Sequence, residues 1–311
     1  MTKGVRWVLR SGITLALFAL LYWRLDLEQL TQAFDTVRPG WLVAALALTL
    51  PQVVISAWRW QLTARQIGLA LPLSTAVREY YLATFLNQVL PGGVIGDASR
   101  AWRHGGSRAN AWHAVVIERV SGQLSLGLVA LIALGCAPAL RDGVVARLAV
   151  PHGTALGLIC MAALAVLVTL LVAVRHHAGV AAAVVPFLRN IGITLLGSRT
   201  WPAQLISSLL VVASYIGVFL LAALAIDLDT PISQLWVLIP PVLMAMAIPL
   251  SIAGWGIREG AAALIWMLAG LPAHEGVALS LAYGLIVLAS SLPGALMLWP
   301  RRVNLRAAGT A

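Results

Sequence analysis

Polar residues in this chain fall between long apolar runs rather than alternating within them. Runs near residues 5–25, 40–58, 112–134, 153–174, 203–226 and 277–299 each approach the ~20 residues an α-helix needs to cross about 30 Å of hydrocarbon. Two further apolar regions, 74–103 and 234–271, are interrupted. The first contains NQVLPGGVIGDASR (Asn87 to Arg100) and the second IPLSIAGWGIREG (Ile248 to Gly260). Lipid offers no partner to a freed backbone N–H or C=O, so a broken helix at membrane depth survives only where it is buried in protein or lines a cavity. The pattern predicts an all-α polytopic membrane protein with six full spans and two broken regions.

Charges in the short loops orient these elements. Lys3, Arg6 and Arg10 place the N-terminus in the cytoplasm, and Asp26, Glu28 and Asp35 offset Arg24 and Arg38 in a loop that reads as external. Arg59 and Arg65 read as the next cytoplasmic loop. Because Arg100, Arg103 and Arg108 follow the first break, region 74–103 starts and ends on one side, as a re-entrant hairpin of two half-helices. Arg175, Arg189 and Arg199 mark a cytoplasmic loop, Asp227 and Asp229 an external one, and Arg301, Arg302 and Arg306 a cytoplasmic tail. Region 234–271 then forms a hairpin of the opposite orientation.

Residues 40–134 and 203–299 thus read as two halves of an inverted repeat, each span, hairpin, span, with Asp97 and Glu259 at nearly the same offset. Paired breaks of this kind point to a transporter-type binding site. A first span at 5–25, a connecting span at 153–174 and a tail at 300–311 complete a single transmembrane domain over 1–311. Trp23, Trp41, Trp58, Trp60, Trp201 and Trp299 fall near expected membrane interfaces, whereas Trp255 lies inside the second break and is expected to face a cavity or plug a gap.

Composition agrees with a membrane protein: 60% of residues are hydrophobic and 10% charged, with a mean hydropathy of +0.91. The net charge of +10 sits in short loops rather than in a stripe on a soluble face, which argues against nucleic acid as a partner. Cys136 and Cys160 form no CxxC pair and the histidines show no ligand spacing, so no metal and no cofactor are expected. The first apolar run resembles a signal peptide but lacks a small-x-small cleavage site, and is read as an uncleaved span.

Candidate chemistry concentrates at the breaks. Gly92 and Gly93 permit a tight reversal, after which Asp97 and Arg100 open a half-helix. Either Asp97 caps that helix while Arg100 reaches the headgroups, or the helix N-terminus and Arg100 present N–H groups and a guanidinium to a phosphate, balanced by Asp97. At the second break Arg258 and Glu259 are adjacent and are expected to point apart, so the economical pairing runs across the hairpins, Asp97 with Arg258 or Glu259 with Arg100. Such a set is either a structural salt bridge or a site for substrate or ion. Glu118 and Arg119 in the following span lie near its cytoplasmic end, where they either snorkel to the headgroups or take part in the site. Glu79, on the same helical face as Asn87, either continues a polar path to the break or is an interface residue beside a hydrogen-bonded Asn.

The stretch FLNQVLPGGVIGDASR (Phe85 to Arg100), the pair Glu118 and Arg119, the stretch from Pro249 to Glu259 and the late Leu292-Pro293-Gly294 resemble the transmembrane family named for lysylphosphatidylglycerol synthase, also called the flippase-like domain family. The resemblance covers nearly the whole chain. It departs at Ile95, where the family often has a second glycine. It implies an integral inner-membrane protein that moves, or assists the movement of, an anionic, aminoacylated or polyprenyl-linked lipid between leaflets. The soluble aminoacyl-transferase domain of some members is not expected on a chain running to Ala311.

The substrate-contacting set expected from these residues is Asn87, Gly92, Gly93, Arg100, Trp255 and Arg258. Glu79, Asp97, Glu118, Arg119 and Glu259 are expected as counter-charges or proton carriers. Beyond the lipid and the bilayer, a glycosyltransferase or polysaccharide-assembly partner is the alternative role, with homo-oligomerisation open. An enzyme is not expected: a polyprenyl pyrophosphate phosphatase would need a PGxSRS turn, and the chain has PGGVIGD here.

Overall fold

The structure is a computed structural model that describes residues 15, 34–90, 93–103, 108–136, 138, 142–143, 178–197, 200–246 and 254–298. Among the described residues the chain is helical, with no strand. In order the helices are α1 (Pro39–Gln66), α2 (Leu73–Val89), α3 (Ile95–Arg103), α4 (Arg108–Gly135), α5 (Ala178–Leu195), α6 (Trp201–Ala225), α7 (Ile232–Ala245), α8 (Ile257–Leu268) and α9 (Ala273–Ser291), the last followed by a helical turn at Pro293–Leu296.

Four of the expected spans fall in α1, α4, α6 and α9, which are long and apolar enough to cross a membrane. The runs at 5–25 and 153–174 and the tail at 300–311 lie outside the described residues. Each broken region resolves into two short helices, α2 with α3 and α7 with α8. The order long, short, short, long therefore occurs twice.

Helix starts follow the sequence. Pro39 opens α1 and Pro202 sits at the second position of α6, where the missing N–H is no loss. At 28 residues, α1 is about 42 Å long and overshoots the run at 40–58. Two expectations change as a result. Arg59, read as a loop charge, is inside α1 and 4% exposed, and Trp60, read as an interface residue, is buried beside it. The segment around Arg189, read as loop, is helix α5, whose Asn190 meets His113 of α4 at 2.9 Å.

Without a hydrophobic difference between lipid and protein interior, membrane helices associate through close packing of small residues. The buried positions fit this: Ala45, Ala57 and Ala64 on α1 and Ala222, Ala223 and Ala225 on α6 lie on buried faces, and α1 packs along α6 more extensively than any other described pair. Phe219 of α6 stacks on Tyr283 of α9 at 3.8 Å between ring centres. At one end of the bundle Arg38 pairs with Asp227 at 2.6 Å and its N–H donates to the Ala225 carbonyl. At the other, Gln204 donates to Thr63 at 2.8 Å and Asn110 to the Ile67 carbonyl.

The hairpin α2–α3 closes on Gly96: a Cβ there would sit 2.0 Å from the Ala83 carbonyl oxygen, so any larger residue forces the two helices apart. At the second break Gly254 and Gly256 take φ of +80° and +83°, a backbone region open to glycine at little cost.

Candidate functional site

Two buried charge clusters follow the two breaks, and they are built differently. In the first, Glu118 of α4 is fully buried and receives two arginines: Arg59 of α1 on Oε1 and Arg100 of α3 on Oε2 at 2.6 Å. The Tyr80 hydroxyl donates to the same Oε1 at 3.3 Å, and Arg59 also donates to Ser208 of α6 at 3.0 Å. Asp97 receives Arg100 at 3.0 Å and Arg119 at 2.8 Å on Oδ1, and the Asn87 amide on Oδ2 at 3.2 Å. The Arg100 guanidinium lies over the rings of Trp60 and Tyr80, 4.8 and 4.6 Å from their centres. Helices α1, α2, α3, α4 and α6 are tied together by one network.

Among the described residues this network holds three guanidinium groups, on Arg59, Arg100 and Arg119, and two carboxylates, on Asp97 and Glu118. A buried charge in the membrane costs several kcal/mol unless paired, so an excess of one positive charge favours a further anion. Arg119 is the member that faces outward: its side chain is 38% exposed, while Arg100 and Glu118 are at 0%.

The second cluster is self-contained. Glu259 sits in the first turn of α8, where its Oε2 accepts the Gly256 N–H at 2.6 Å. Its Oε1 receives Arg258 Nη2 at 2.6 Å and the Ser280 hydroxyl at 3.1 Å, and Arg258 Nε donates to Ser280 at 2.9 Å. Arg258 is sandwiched between the Trp255 and Tyr283 rings, and Gly284 leaves the guanidinium its room: a Cβ there would fall 2.2 Å from Nη2.

The expectation that the clusters pair across the hairpins is therefore corrected. Adjacent side chains do diverge in a helix interior, but Arg258 and Glu259 lie in the first turn, where Glu259 folds back onto the Gly256 N–H and meets the guanidinium returning along Ser280. Asp97 is likewise not the cap of α3. The Gly96 N–H is taken by Asn87 Oδ1 at 2.7 Å, so both half-helix starts have this amide occupied by the protein's own side chains. Glu79 is buried and pairs with Arg103 at 3.4 Å, whereas Asn87 bonds Asp97 and the Gly96 N–H.

What converges is the breaks themselves. Gly93 and Val94 from the first and Gly254 from the second line one cavity of about 210 Å³, with Tyr80, Asn87, Arg119, Gln123, Tyr215 and Tyr283 around it. A second, wider space of about 960 Å³ runs along the outer face of α4, lined by Trp112, Val116, Val120, Leu124 and Leu128 and bordered by Asp97 and Arg119. Val94, Arg119 and Gln123 line both. Arg100, Arg258 and Glu259 line neither, and Trp255 covers Arg258 rather than the cavity. Gly92 lies outside the described residues, as do Pro91 and Pro249.

Sequence reasoning missed Arg59, Tyr80, Ser208, Tyr215 and Ser280. A signal for Arg59 exists: Ser56, Arg59 and Thr63 recur at helical spacing and are all buried, a polar stripe that a solvated loop does not produce. No group of three or more His, Cys, Asp or Glu able to hold a metal occurs among the described residues. None of the curated proteins matches the chain at a significant level. Residues 7–294 match the family described as Lysylphosphatidylglycerol synthase TM region, and the chain, with its paired breaks and long apolar helices, belongs to that family of multi-pass membrane proteins.

Proposed function

We propose that this protein moves a phosphate-bearing lipid between the leaflets of a bacterial inner membrane, with the headgroup in the cavity between the breaks and the acyl chains along the outer face of α4. The observation that carries the reading is the position of Arg119, on the boundary shared by the cavity between the breaks, which carries amide and hydroxyl groups, and an apolar groove. A lipid needs both environments at one point, and a cation at that junction is where its phosphate belongs. Asp97 holds Arg119 in the empty site at 2.8 Å. An arriving phosphodiester takes its place on the outward face of the guanidinium, while Asp97 keeps Arg100 and Asn87.

In this reading α2–α3 and α7–α8 are re-entrant hairpins of an inverted repeat, entering from opposite sides. Both chain termini lie in the cytoplasm. The contacts at the two ends of the bundle agree with this sidedness: Arg38 and Asp227, both assigned to external loops, meet each other, and Thr63 and Gln204, next to segments assigned to the cytoplasm, also meet. The reading involves no covalent step. Arg100 and Arg258, expected to bind phosphate, here serve to hold the hairpins in place.

Transbilayer movement of a tail-labelled phosphatidylglycerol in proteoliposomes tests the proposal. The protein is expected to raise the rate well above protein-free vesicles, and Arg119→Gln to lower it about tenfold, as fits loss of one charge-assisted contact of about 1.5 kcal/mol. A rate equal to that of protein-free vesicles sinks the proposal. A fully active Arg119→Gln removes the assigned site.

A further inference from the structure

The cavity is chemically one-sided. Among its described lining residues Arg119 is the sole charged one, and the rest of its polar surface is amide and hydroxyl: Gln52, Ser56, Gln88, Gln123, Tyr215 and Ser290. The Gln88 and Gln123 amides and the Tyr215 hydroxyl have no hydrogen-bond partner among the described residues. Amides and hydroxyls both donate and accept, which matches a headgroup whose own hydroxyls do the same.

A cationic headgroup meets the opposite conditions. It needs a free carboxylate or an open aromatic face. Both nearby carboxylates are engaged by arginines, Asp97 by Arg100 and Arg119, and Glu118 by Arg59 and Arg100. The Tyr80 ring already carries Arg100 at 4.6 Å and Arg119 at 6.0 Å. Tyr283 is stacked on Phe219 at 3.8 Å and carries Arg258 at 5.4 Å. An ammonium entering the cavity would approach the Arg119 guanidinium with no free carboxylate among the described lining residues to offset it, and like charges at close range repel strongly away from bulk water.

We infer that the cavity selects a lipid whose phosphodiester carries an uncharged, hydroxyl-rich headgroup, a glycerol or sugar, and rejects an aminoacylated, cationic one. The inference rests on the lipid-moving reading above and narrows its substrate class. Selection has two parts: Arg119 recognises the phosphate common to all candidates, and the amide and hydroxyl wall reads what is attached to it. A site built to bond hydroxyls discriminates against the analogue lacking them, because its own polar groups are then left unpaired.

The test uses the full chain in phosphatidylcholine vesicles carrying a trace of one tail-labelled lipid: phosphatidylglycerol, phosphatidic acid or the lysyl ester of phosphatidylglycerol. Phosphatidylglycerol is expected to cross about tenfold faster than either of the others, the size of one or two lost hydrogen bonds. Gln123→Leu is expected to shrink the phosphatidylglycerol to phosphatidic acid ratio to below about twofold. If the lysyl ester crosses as fast as phosphatidylglycerol, or if all three cross at one accelerated rate, the headgroup inference falls while lipid movement stands. If none crosses faster than in protein-free vesicles, both fall. An unchanged ratio in Gln123→Leu overturns the role given to the amide wall.

Discussion

The two half-helices α3 and α8 begin alike and end up in opposite roles. Each follows a glycine-rich break, and each carries a carboxylate at its third residue, Asp97 in α3 and Glu259 in α8. Glu259 spends its oxygens on Gly256, Ser280 and its own neighbour Arg258, and the result is a closed lock at 0% exposure. Asp97 reaches three partners on three helices, one of which, Arg119, is part exposed. The lesson is that carboxylates at the same place after two similar breaks need not share a task. One break is held by a closed cluster, and the other leaves a cation at the edge of a cavity.

The comparison is broken most forcefully at Glu118. Glu118→Ala leaves Arg59 and Arg100 buried without their main partner, and is expected to cost about 5 kcal/mol, the upper end for breaking a buried ion pair. The check is thermal unfolding in detergent, where a loss under about 1 kcal/mol would mean the network is not structural.

Disturbing the second cluster comes next. Arg258→Met alone strands Glu259 and is expected to cost about 3 kcal/mol. Adding Glu259→Gln should restore more than half of that, since the two groups are coupled. A double variant no more stable than the single would show that the lock is held by something other than this pair. Because this cluster does not line the cavity, the double variant is also expected to move lipid at near the normal rate.

The smallest effect is expected at the bundle's end. The Arg38 and Asp227 side chains are 56% and 50% exposed, and exposed pairs contribute little in water. Arg38→Ala should shift stability by about 0.5 kcal/mol or less, and raising salt should erase the difference. A larger loss would point to the backbone contact from the Arg38 N–H to Ala225 as the true tie.

Much of this was legible beforehand. The long apolar runs appear as α1, α4, α6 and α9, and both interruptions appear as breaks between short helices, because a hydrocarbon environment leaves the backbone few other choices. The importance of Asp97, Glu118 and Arg119 was also visible, since charges within apolar runs are expensive and seldom idle. The partners were not. Arg59 reads as a loop charge because its run of apolar residues stops near 58, yet the helix continues to Gln66. Its buried Ser56 and Thr63 neighbours were the overlooked clue.

Sequence alone determined the class of the molecule, the four long apolar helices and the two points where helices break, for these follow from hydropathy and from the backbone limits of proline and glycine. Only the tertiary structure decided which charges meet. Arg100 could reach a carboxylate on its own helix, on α4 or across the hairpins, and those options are nearly equal in chain terms. The choice is made by what lies within about 3 Å once helices from distant parts of the chain are packed together. Burial then makes that choice costly to reverse.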